Sequence, residues 1–166
     1  MEEIRKPSLI ESAFEGSGKL VTSSIPLIWE VPLGWKTIPA DGIRVAAFMV
    51  EKNSLSADIT LVILAAQSGS IEDNIVRWIG QLNLSTNDEI INKIILSSTE
   101  LRTDGMILLE IFDFTILTDN NEETMLVAMG PIADQTLFVK IKGPNTLLVQ
   151  ERTQFFSLLQ SIALSN

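Results

Sequence analysis

The chain has 166 residues, a net charge of −9 from 21 acidic and 12 basic side chains, and no cysteine, histidine or tyrosine. That length suits one domain with one substantial core. The missing side chains exclude disulfides, thiolate nucleophiles, imidazole bases and Ser-His-Asp or Cys-His triads. Basic residues dispersed among a majority of acidic ones make nucleic acid and anionic membranes poor partners and a basic protein a better one.

Residues 1–24 mix Glu, Ser, Gly and Lys around Gly16-Ser17-Gly18 without a sustained period, and read as a flexible N-terminal arm. Gly16-Ser17-Gly18-Lys19 lacks the upstream glycine and the following helix of a phosphate loop. Met1–Lys6 carries charges of both signs with no apolar run behind it, so no signal peptide is expected there. The domain is expected over 25–166. Leu27–Val31 reads as a first strand, turned by Pro32-Leu33-Gly34-Trp35. Ile43–Glu51 and Asp58–Leu64 read as a hairpin around 52–56. Both sets of alternating side chains are apolar there, which predicts a sheet covered on both faces.

Ser70 and Asp73 form a capping pair for a helix whose stripe is Ile71, Ile75, Trp78, Ile79 and Leu82. Thr86-x-x-Glu89 predicts the start of a shorter helix reaching about Ile95. Extended segments follow at Leu96–Arg102 and Met106–Thr115, split by Asp104-Gly105, and then at Thr124–Gly130 and Thr136–Lys142. In the last of these, Lys140 and Lys142 on one face suggest a partly wet strand near a sheet edge. Pro144 suits a first helical position, opening a helix to about Ile162 with Leu148, Phe155, Leu159 and Ile162 on one stripe. The order predicts the α+β class, an antiparallel sheet of six or seven strands between helices. The longest apolar runs, such as Ile59–Ala66, fall far short of the ~20 residues a membrane span needs.

Three blocks, Trp29-Glu30-Val31-Pro32-x-Gly34-Trp35 with Arg44-x-Ala46-x-Phe48, Asn74-x-x-Arg77-Trp78-x-x-Gln81-Leu82, and Phe138-x-Lys140-x-x-Gly143-Pro144, cover roughly residues 27–163 with the closing helix. They resemble a group of small bacterial proteins, often lipoproteins, that share the fold of the photosystem II subunit PsbP. The resemblance implies a PsbP-like sheet between helices, an exported or periplasmic setting and no enzymatic activity. Other users of that fold bind proteins, an analogy at the level of fold. The chain departs from exported relatives in its charged start, which leaves the cytoplasm open.

Asn74, Arg77 and Gln81 lie within about a 60° arc beside the apolar stripe of their helix, at ~100° per residue. They suit either a recognition strip for carboxylates or carbonyls, or anchors to neighbouring backbone. Trp35 is the tryptophan expected to be partly exposed. Glu110 shares a face with Met106, Leu108, Phe112 and Phe114, and Arg44 is its expected ion-pair partner. The acidic pairs Glu72-Asp73 and Asp88-Glu89 sit in helix first turns, where the backbone dipole favours them. No cofactor or metal is expected. The expectation is a non-catalytic protein-interaction or accessory domain, monomeric or weakly dimeric, with Asn74, Arg77, Gln81, Trp35 and Arg44 at its contact surface. The alternative is a small-molecule or lipid-binding module with a pocket between sheet and helix.

Overall fold

The computed structural model describes residues 25–65 and 70–165; the arm read over 1–24 lies outside them. The strands are β1 (Leu27–Ile28), β2 (Lys36–Ile38), β3 (Arg44–Lys52), β4 (Leu55–Ala65), β5 (Thr99–Arg102), β6 (Leu108–Asp113), β7 (Glu123–Ile132), β8 (Gln135–Pro144) and β9 (Ala163–Leu164). The helices are α1 (Ile71–Gln81), α2 (Asp88–Leu96) and α3 (Asn145–Gln160), with a 3₁₀ turn at Thr115–Leu117. Seven strands form one sheet in the order β2-β3-β4-β8-β7-β6-β5, and β1 and β9 form a separate two-stranded ribbon. Every pairing is antiparallel.

Side chains alternate between the two faces of each strand, so one strand feeds two cores. Leu137, Val139 and Ile141 join Leu148, Phe155, Leu158 and Leu159 of α3 in one core. Phe138 joins Ile75, Trp78, Ile79 and Ile94 of α1 and α2 in the other. The fold is therefore α+β, an antiparallel sheet between helices.

The local chemistry explains the elements. Asn53 and Ser54 both take positive φ (54° and 69°) between the paired Lys52 and Leu55, the two-residue turn whose twist matches the strands. Ser70 caps α1 by accepting from the Asp73 amide at 3.0 Å. At α2 the cap falls one residue beyond Thr86: Asn87 Oδ1 accepts from the Ile90 amide at 2.9 Å. Pro144 is the last residue of β8 and flanks a helix that begins at Asn145. Its fixed φ of −63° serves extended backbone as well as helix. The first strand ends at Ile28 rather than Val31, and β2 and β9 are two or three residues long, too short to leave an alternation in the sequence.

The largest correction concerns β8. It is the central strand, flanked by β4 and β7, and Lys140 is 1% exposed. The lysine in its pattern marks a buried charge, not a wet edge.

Candidate functional site

Lys140 faces α1. Its register partners are Thr60 on β4 and Val127 on β7, and its Nζ donates to Gln81 Oε1 at 2.8 Å. Burial, which penalises the charged amine, and then the neighbouring positive charge of Lys142 together lower its pKa to about 7. Asp58, the register partner of Lys142, has its carboxyl pKa raised by burial, opposed by Arg44 and Lys142. An amine that titrates near neutrality has the acid–base character of a proton-transfer group. At 1% exposure, however, it is closed to a substrate arriving from solvent.

The residues singled out along the sequence distribute around this centre. Asn74 is fully buried and donates through Nδ2 to Ser70 O at 3.1 Å, so it anchors the first turn of α1. Gln81 holds Lys140. Arg77, between them on the same flank of α1, is half-buried. Arg44 lies on β3 opposite Val62, near Asp58. Its expected partner does not meet it: Glu110 lies on β6, with β4, β8 and β7 between the two strands. Glu110 instead accepts from Ser98 Oγ at 2.9 Å.

Trp35 lies on the other face, among the side chains under α3. It is 7% exposed rather than at the surface, because a buried acceptor waits for its indole. Trp35 Nε1 donates to Glu151 Oε1 at 2.9 Å, and Lys52 Nζ pairs with Glu151 Oε2. Glu151 is 1% exposed and Lys52 half-exposed, so the carboxylate is buried, hydrogen-bonded and paired, as a buried charge requires. The Lys140 and Glu151 clusters are the two buried ionic features of the described residues, and sequence reasoning missed both. Glu151 fills an inward slot between Leu148 and Phe155 on α3, and that was its only signal.

At the surface, the Thr103–Ile107 turn is tightly built. The Thr103 amide donates to Ile107 O at 2.9 Å and the Met106 amide to Thr103 O at 2.8 Å, while Thr103 Oγ1 accepts from the Ile107 amide at 3.1 Å. Gln160 of α3 pins the turn: its carbonyl accepts from the Asp104 amide at 2.8 Å and its Nε2 donates to Asp104 Oδ1 at 2.9 Å. Met106 takes a φ of 67°, left-handed backbone that costs a non-glycine residue about 1–2 kcal/mol. Its side chain is 68% exposed. Gly105 lets the turn lie on β9, since a Cβ there would sit 2.5 Å from Ala163 Cα. Ala163 pairs with Ile28, 52% exposed, and next to it stands Leu164, 45% exposed. By register, Ile28 shares the Ala163 face of this ribbon and Leu164 the opposite, Leu27 face.

Among the described residues, no group of three or more acidic side chains is placed to hold a metal ion, and no helix is long and apolar enough to cross a membrane. No family model and no curated protein matches the chain.

Proposed function

We propose that the protein is a non-catalytic protein-interaction domain whose contact surface is the exposed Thr103–Ile107 turn that carries Met106. The carrying observation is Met106, held in left-handed backbone by a pinned turn with its side chain turned to solvent. Scattered exposed apolar residues need no explanation, but an exposed methionine on a strained, well-braced turn suits recognition. Methionine adapts its unbranched thioether to varied apolar partners. The net charge of −9 favours a partner with an apolar anchor and a basic rim.

Met106→Gly tests the reading. Glycine adopts φ near 67° without strain, so the variant keeps or gains stability while losing the anchor. Affinity capture from extract of the source cells is expected to recover a partner with wild type and to lose it with Met106→Gly. A partner retained by both proteins, or none recovered, counts against the proposal. A saturable small-molecule ligand whose binding is unaffected by Met106→Gly would instead favour a pocket-type binding module.

A further inference from the structure

The seven-stranded sheet has two free edges, β2 and β5. β2 is three residues long, begins with Lys36 and is followed by Pro39, a charge and an imino acid that discourage strand addition. β5, Thr99-Glu100-Leu101-Arg102, has no proline.

Its hydrogen-bonding groups alternate between the two sides. The Thr103 amide points inward to Ile107 O, so Leu101 also points toward β6, and the amides and carbonyls of Glu100 and Arg102 point to the open edge. Arg102 O already accepts from Gln160 Nε2 at 3.1 Å; a carbonyl has a second lone pair for another donor.

The side chains of Glu100 and Arg102 stand exposed on one face. Glu100 lies directly opposite Glu110 on β6, two carboxylates in register, an unfavourable cross-strand pair. Among the described residues, the ion pairs are Lys52–Glu151 and Arg152–Asp113, and neither Glu100, Glu110 nor Arg102 belongs to one. Beside them a cleft of about 200 Å³ is lined by Glu100, Leu108, Glu110, Met129, Gly130 and Pro131. Among the described residues, no cation forms an ion pair with this acidic row.

A second copy would supply one. We infer that β5 pairs antiparallel with β5 of another copy about a two-fold axis through Leu101, extending the sheet across the dimer. In that register Glu100 faces Arg102 of the other copy, and Arg102 faces its Glu100. Each arginine thereby enters the row that holds Glu100 and Glu110. Registers centred on Glu100 or Arg102 set like charges against each other. Antiparallel two-fold pairing also keeps each residue on the same face of the extended sheet. Charge complementarity alone selects the Leu101 centre.

The test is a charge swap read by sedimentation velocity over a range of concentrations at low salt. Wild type is expected to show a monomer–dimer equilibrium that weakens with added salt, as exposed ion pairs are screened. Glu100→Arg sets arginine against arginine, and Arg102→Glu sets glutamate against glutamate. Each variant alone is expected to weaken dimerisation by about tenfold or more. An equimolar mixture of the two restores both attractive pairs and is expected to re-form dimer. Circular dichroism of each variant establishes that it is folded. A wild type that stays monomeric at every concentration overturns the inference. So do single variants that dimerise like wild type, or folded variants whose mixture gains no dimer.

Discussion

Lys140 Nζ and Gln81 Oε1, 2.8 Å apart, join the middle of the central strand to the last turn of α1 across a largely apolar layer. The bond satisfies a buried amine whose charge the interior disfavours, and this has a consequence for stability. In the unfolded chain the amine titrates near 10.5, and in the folded protein near 7. Below pH 7 both states hold the proton and the folded protein bears the full cost of burying the charge. Between pH 7 and about 10 the unfolded chain binds a proton that the folded protein lacks, so stability rises with pH. Above that window both forms are neutral and the dependence ends.

The slope contributed by Lys140 approaches about 1.4 kcal/mol per pH unit inside the window. Asp58 nearby titrates too, so the comparison is with Lys140→Met. Urea unfolding from pH 6 to 10 is expected to show the variant at its most favourable relative to wild type below pH 7, with wild type gaining steadily above. A difference that does not change with pH would contradict the buried, readily neutralised amine.

Glu151 anchors the indole of Trp35 from across the other core. Glu151→Ala leaves the buried Trp35 Nε1–H without its acceptor and Lys52 without its partner, and is expected to cost about 1–3 kcal/mol. Glu151→Gln keeps an amide oxygen for the indole, and Lys52, half-exposed, turns to solvent, so its loss is smaller. Urea unfolding followed by tryptophan fluorescence checks the order. Equal losses for the two variants would mean that the ion pair, not the indole bond, holds this contact.

Gly130 on β7 packs against the start of β6 so closely that a Cβ would lie 2.1 Å from Leu108 O. Backbone has to move to admit it, and Gly130→Ala is expected to destabilise by about 1–3 kcal/mol. Amide exchange should accelerate first along β6 and β5, outboard of the clash. Unfolding unchanged within ~0.5 kcal/mol, the range of neutral surface substitutions, would show that the strands have more room than their spacing indicates.

The fold was legible where the pattern was long and the physics local. The stripe through Ile75, Trp78 and Ile79, the Ser70 cap and the doubly apolar β4 each pointed to the element that forms. The site was less legible because burial depends on strand order, which is non-local. Nothing near Lys140 in the chain announces that β4 and β7 enclose its strand, so its alternation read as a solvated edge. Arg44 and Glu110 failed to meet for the same reason: their separation across the sheet is set by topology. Trp35 looked exposed beside its Gly34 turn until Glu151, 116 residues away, supplied a buried acceptor. Met106 carried no signal, since its importance lies in a left-handed φ that the turn imposes.

The proposal that the Met106 turn is the contact surface is tested most directly by photo-crosslinking in the source cells. A photoreactive residue would stand at position 106, and at position 149 as control, where Val149 is 59% exposed on α3. The account predicts a discrete adduct with a second protein from position 106 that is missing from position 149. The same adducts from both positions, or none from position 106, would contradict it.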